Sequence, residues 1–156
     1  MSHTKDGSTF TEVVLETFRL NGALLEAGNE LLRDLGLTSA RWQVLGSLVE
    51  GPLTVAGIAR QMGLSRQNVQ RIANRLIQDG FIGTSPNPAH RRAKLHFLTD
   101  YGLESMREVN KRQEDWVNEI SKDLDFARLN QTVEALIDCR KRVDNSLEGI
   151  RQKYEK

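Results

Sequence analysis

Val69, Ile72, Ala73 and Leu76 recur at i, i+3, i+4 and i+7, which makes them one apolar face of a helix opening after Ser65. At about 100° per residue the opposite face carries Gln67, Arg71, Asn74 and Gln78, with Gln70 beside it and Arg66, Asn68 and Arg75 at its flanks. These residue types read base edges in the DNA major groove: arginine spans guanine O6 and N7, and asparagine or glutamine spans adenine N6 and N7. Arg66, Asn68 and Arg75 stand where phosphates would run, and Ser65 with the free N–H groups of the first helical turn could hold one more. The same residues equally suit an ordinary solvated helix face, so the helix by itself leaves both readings open. A second basic cluster, Arg91, Arg92 and Lys94, follows the turn-rich Pro86-Asn87-Pro88-Ala89-His90. From Thr54 to Thr99 seven basic residues stand against the single acid Asp79, although the whole chain holds 22 basic and 21 acidic residues. A basic middle between acidic flanks is the charge pattern of a surface that faces a polyanion.

Caps and periodicity outline the elements that must position these side chains. A long amphipathic helix is expected from the capping-box pair Thr9 and Glu12 through Phe10, Val14, Phe18, Leu24, Leu25, Leu31, Leu32 and Leu35 to a stop at Gly36, with Gly22 and Gly28 as kink sites. Thr38 caps a second helix in which Trp42, Leu45, Leu48 and Val49 share a face and which Gly51-Pro52 ends; Leu53 follows as one short strand. Thr54 opens a short helix through Ile58, Ala59 and Met62, Gly63 closes it, and the polar-faced helix runs from Ser65 to about Asp79, with Gly80 as its stop. Phe81 to Ser85 and Ala93 to Leu98 read as a β-hairpin with a long basic tip. Thr99 caps a long helix bearing Leu103, Met106, Val109, Trp116, Val117 and Ile120. Asp125 caps a last one, whose Leu129, Val133, Leu136, Val143, Leu147 and Ile150 come close to a coiled-coil seam that Arg140 interrupts. Short helix, glycine turn, second helix and basic hairpin within the 46 residues from Thr54 to Thr99 follow the order of a winged helix-turn-helix.

That stretch carries a family resemblance. Leu37-Thr38-Ser39-Ala40-Arg41-Trp42-Gln43-Val44-Leu45, Gly51-Pro52-Leu53-Thr54-Val55, Ile58-Ala59, Leu64-Ser65, Val69, Leu76, Gly80-Phe81-Ile82, Pro88, Arg91-Arg92-Ala93-Lys94 and Leu98-Thr99-Asp100-Tyr101-Gly102 resemble the MarR family of bacterial transcription regulators. The chain departs from the family pattern at Thr84, where an arginine is usual, and at His90, where an acid usually precedes the paired arginines. The resemblance implies a mainly α fold with a small β-wing: a winged helix-turn-helix (38–99) flanked by long N- and C-terminal dimerisation helices (1–37 and 100–156). It implies a homodimer on double-stranded DNA, with Ser65, Arg66, Gln67, Asn68, Gln70, Arg71, Asn74 and Arg75 on the reading helix and Arg91, Arg92 and Lys94 on the wing. The first and last helices have apolar stripes too long for the small module to cover, which makes Phe10, Val14, Phe18, Leu129, Val133, Leu136, Val143, Leu147 and Ile150 candidates for a buried seam; an intrachain bundle is the rival. A two-fold protein should recognise a pseudo-palindrome with half-sites about 10 bp apart, and promoter blocking makes repression the default. The family resemblance also implies release by a small aromatic ligand in a cleft near Trp42, a residue that equally suits an ordinary core position.

Other classes find less support. There is no Gly-rich phosphate loop, nucleophile elbow or clustered thiol and histidine, so an enzyme is not expected, nor any cofactor. His3, His90 and His96 lack metal-ligand spacing; His90 on the wing would add a cation facing phosphate when protonated. The lone Cys139 excludes an internal disulfide and leaves two roles open, small core hydrophobe or oxidant sensor. A length of 156 residues fits one domain, no apolar run reaches the roughly 20 residues of a membrane span, and a cytoplasmic protein is the expectation. A winged module that binds a protein partner is the serious competitor.

Overall fold

The computed structural model describes residues 4–90 and 92–154; Arg91 and His3 of the sequence reading lie outside them. Six helices and a two-stranded antiparallel sheet follow in the order α1 (Lys5–Leu31), α2 (Ser39–Ser47), α3 (Val55–Met62), α4 (Arg66–Gln78), β1 (Ile82–Ser85), β2 (Leu95–Leu98), α5 (Asp100–Ser121) and α6 (Phe126–Tyr154), with a 3₁₀ turn at Arg33–Leu35. This is the mainly α fold with a β-wing expected from the sequence. The chain divides into two compact units, one up to Glu114 and one from Asp115.

In the first unit α1 begins one turn earlier than the capping box implies. Thr4 is its N-cap, accepting from the Gly7 N–H at 3.1 Å, while Thr9 lies inside the helix with its hydroxyl donating to the Lys5 carbonyl. Asp6 in the first turn suits the helix dipole, and each residue added to an existing helix gains a hydrogen bond, so the upstream cap wins. Neither Gly22 nor Gly28 interrupts α1. Gly28 is a contact point: a Cβ there would collide with Ser39 Oγ, whose hydroxyl donates to the Leu25 carbonyl at 2.7 Å, while the Ser39 N–H donates to Asn29 Oδ1 at 2.9 Å. The missing side chain lets α2 dock on α1. Gly36 closes the 3₁₀ turn with φ 65° rather than α1 itself.

Thr38 caps α2 as expected, but the helix ends at Ser47, before Gly51-Pro52, and Leu48 is its C-cap. Val49 therefore falls outside the helix and is 51% exposed instead of sharing the buried face of Leu45 and Leu48, because helical spacing orients side chains only while the helix lasts. Thr54 and Ser65 cap α3 and α4, and Gly63 turns between them in the left-handed region. Val44, Leu45, Ile58, Val69, Ile72 and Leu76 from α2, α3 and α4 make the core, closed by Leu32 after α1, Phe81 and Ile82 at the strand entry, and Met106 and Val109 of α5. Each such side chain contributes roughly 1.5–3 kcal/mol by leaving water. In the wing Ile82 pairs with Leu98 and Ser85 with Leu95. Leu53, read as a short strand, forms a single bridge on the far edge of β2, exchanging both backbone hydrogen bonds with His96. Thr99 accepts from the Gly102 N–H and caps α5, while its hydroxyl lies 2.6 Å from the Gly80 carbonyl oxygen, fastening the end of α4 to the start of α5.

In the second unit Asp125 caps α6, its Oδ1 accepting from the N–H groups of Ala127 and Arg128. No residue of α6 is buried: Leu129, Val133, Leu136, Val143, Leu147 and Ile150 are all exposed, and only Cys139 is half-covered.

Candidate nucleic-acid interface

The amphipathicity of α4 turns its polar face outward. Val69, Ile72, Ala73 and Leu76 are buried, so Arg66, Gln67, Gln70, Arg71, Asn74 and Arg75 are exposed, with Asn68 half-buried. Neighbours three and four residues apart order this face: Arg71 Nη2 donates to Asn68 Oδ1 at 3.0 Å and Gln70 Nε2 to Asn74 Oδ1 at 2.8 Å. Ser65 Oγ accepts the Asn68 N–H at 3.2 Å, leaving the hydroxyl hydrogen to donate outward.

The far end of α4 is anchored by Asp79, its C-cap. Arg41 of α2 reaches Asp79 at 2.5 Å, donates to the Gly36 carbonyl at 2.8 Å and lies over the Phe81 ring at 5.2 Å; Arg75 Nε stands 3.2 Å from the same carboxylate. A carboxylate at a helix C-terminus opposes the dipole, and two guanidinium groups offset this. The only acid of the basic stretch is therefore an anchor. Its partnership with Arg41 is not legible in the sequence, because the two are 38 residues apart and no local pattern connects them.

Between α4 and the wing lies a groove of about 770 Å³, lined by Arg66, Gln67, Gln70 and Asn74 of α4, Thr54 to Ala56 at the start of α3, and Thr84, Arg92, Lys94 and His96 of the wing. The fold thus brings together six of the residues chosen from sequence, Arg66, Gln67, Gln70, Asn74, Arg92 and Lys94. Ser65, the N-cap of α4, and Asn68, Arg71 and Arg75 on the helix are not among the residues that line this groove. Every charged residue described in the lining is a cation. Such a concave, single-signed surface concentrates positive potential. Trp42 is half-buried at the contact of α1 and α2, its ring within 3.6 Å of where a Gly28 Cβ would stand.

No sequence pattern marks His96 as part of this surface. It is 5% exposed, held between Thr84 and Leu53 as the middle of three backbone segments, and its Nδ1 has no hydrogen-bond partner. Burial pushes its pKa below the ordinary histidine value, and Lys94 adds to the effect. A depressed folded-state pKa means that the stability it contributes is complete above the unfolded value of about 6.5 and is lost as pH falls through the lower folded value. Denaturant midpoints of the parent should therefore drop as pH goes from about 7 to 5, and His96→Gln should flatten that slope; an unchanged slope would place the proton uptake elsewhere.

Among the described residues no helix is long and apolar enough to cross a membrane, and no group of three or more His, Cys, Asp or Glu could hold a metal ion.

Residues 35–93 match the model of the MarR family. An uncharacterised Mycobacterium tuberculosis protein is 35% identical over 124 residues, covering 80% of this chain and 87% of that protein. The transcriptional activatory protein BadR of Rhodopseudomonas palustris is 32% identical over 83 residues, covering 51% of this chain and 47% of its own. The transcriptional repressor IacR of Pseudomonas putida is 25% identical over 122 residues, covering 76% and 73%. Among solved structures, AbsC, a MarR family regulator from Streptomyces coelicolor, superposes with a TM-score of 0.77 at 21% identity, over 93% of this chain and 99% of that one. CouR from Rhodococcus jostii, bound to p-coumaroyl-CoA, gives 0.71 at 23% identity, over 80% and 88%.

Proposed function

The chain belongs to the MarR family of transcription regulators, which are DNA-binding proteins and not enzymes, and from that premise we propose that it is a repressor that binds a pseudo-palindromic operator as a homodimer. The observation that carries the reading is the groove in which the polar face of α4 and the wing cations Arg92 and Lys94 share one surface whose described charges are all positive. Gln67, Gln70, Arg71 and Asn74 read base edges in the major groove; Ser65, Arg66, Asn68 and Arg75 contact flanking phosphates; Arg91, Arg92 and Lys94 follow the backbone or enter a narrow minor groove. A surface whose described charges are all cations, along both helix and wing, favours a polyanion over a protein partner of mixed charge.

Residues 38–99 form the DNA-reading domain in this proposal, with 1–37 and 100–156 as dimerisation segments. Support comes from exposed apolar side chains: Phe18 is 69% and Val133 55% exposed, and α6 buries none of its residues within its unit. Such stripes lose their contact with water when a second copy covers them. Repression follows from promoter blocking, and the relative IacR is itself a repressor. A small aromatic ligand bound near Trp42 releases the operator, a reading supported by the p-coumaroyl-CoA held by CouR.

Footprinting on the chain's own upstream DNA tests the core of this reading. A protected palindrome is expected, with log affinity falling by about 0.9 per phosphate neutralised for each unit of log salt. Arg92→Ala should weaken specific and random duplexes alike and flatten the salt slope by about one per half-site. Salt-insensitive, sequence-independent binding would overturn the proposal. Sedimentation should give a dimer at micromolar concentration, and a monomer there would remove the palindrome.

A further inference from the structure

We infer that Asp34 and Arg112 form a positioning clamp that sets the half-site separation this protein accepts, an inference that rests on the dimeric DNA-binding reading above. The Arg112 guanidinium, on α5, grips Asp34 with both arms: Nη1 lies 2.5 Å from Oδ1 and Nη2 2.9 Å from Oδ2. Nη1 also donates at 3.0 Å to the carbonyl of Leu31, the last residue of α1, and Nε donates at 2.9 Å to Glu108 one turn back on α5. All three nitrogens of the fork are engaged, so its plane is fixed in a way a point charge would not be. A cation on the last carbonyl of α1 also suits the negative end of that helix. The arginine holds the Asp34 carboxyl below the usual carboxylate range, and the two carboxylates raise the arginine further.

Position in the chain gives the clamp its role. Asp34 and Arg112 are 78 residues apart, and α2, α3, α4, β1 and β2 all lie between them. The pair therefore closes the winged module at its base, tying the end of α1 to α5 where the chain enters and leaves the module. Two reading helices fit successive turns of DNA only when their modules are held at one angle to the helices that join the copies. Asp34 is 68% exposed and the Arg112 side chain 26%, so water screens the carboxylate side of the pair and Asp34→Asn frees an angle more than it unfolds a domain.

Selection from a random-sequence duplex library by the full-length parent, Arg112→Gln, Asp34→Asn and Arg112→Lys tests the clamp. The parent is expected to enrich one half-site separation. Both neutral variants should lower its enrichment over separations one or two base pairs away by about threefold or more, and Arg112→Lys, which keeps the charge but not the fork, should fall between. The ratio comes from one sample, so a partly unfolded variant leaves it unchanged. An unchanged ratio in either neutral variant overturns the clamp while leaving the operator reading intact; a parent that enriches no paired half-sites overturns both.

Discussion

Arg71→Ala is expected to weaken operator binding by about 2–6 kcal/mol, since one bidentate arginine–guanine contact contributes about 1–3 kcal/mol and a two-fold dimer makes it twice. At 1.4 kcal/mol per factor of ten the affinity loss is at least about thirtyfold. Arg71 is exposed, and its one described side-chain partner is Asn68 on the same helix. Because the helix rests on Val69, Ile72, Ala73 and Leu76, stability should change by no more than about 0.5 kcal/mol. Fluorescence anisotropy at fixed salt, with the footprinted duplex and a scrambled one, separates the roles. Loss confined to the footprinted duplex assigns Arg71 to base reading; equal loss on both makes it a phosphate contact; no loss removes it from the interface.

Gly102→Ala should destabilise the protein by about 3 kcal/mol, at the upper end of what overpacking costs. A Cβ at Gly102 would collide with the carbonyl oxygen of Phe81 and lie 3.1 Å from its carbonyl carbon, and a backbone group cannot rotate away as a side chain can. The same carbonyl accepts the Thr99 N–H at 3.1 Å, and Thr99 in turn caps α5 through the Gly102 N–H. Displacing it loosens the junction of α4, the wing and α5. Urea unfolding would show the midpoint fall with the slope unchanged. Gly22→Ala is the control: its Cβ would meet nothing within 4 Å, and alanine favours a helix, so stability should hold or rise slightly. Equal stability of Gly102→Ala and the parent would mean that the junction relaxes at no cost.

Much of the architecture was legible because local rules act over a few residues. Thr38, Thr54, Ser65, Thr99 and Asp125 stand as caps where their side chains predict them, and Gly63 turns where a left-handed residue is needed. Sequence pattern and structure differ where two local signals compete or one runs out: Thr4 overtakes Thr9 as the cap of α1, and Val49 loses its face because α2 stops at Ser47.

The sequence by itself determined which face of α4 is polar, that a basic hairpin follows it, and which family the chain resembles, because cap chemistry, helical period and charge are properties of neighbours in the chain. Only the tertiary structure decided that Arg66 and Asn74 share a groove with Arg92 and Lys94, that Gly28 and Gly102 are sites of close approach, that His96 is buried, and that Arg41 with Asp79 and Arg112 with Asp34 join distant segments. These pairings span tens of residues, and they exist only once the apolar faces have met in one core and fixed which surfaces lie side by side.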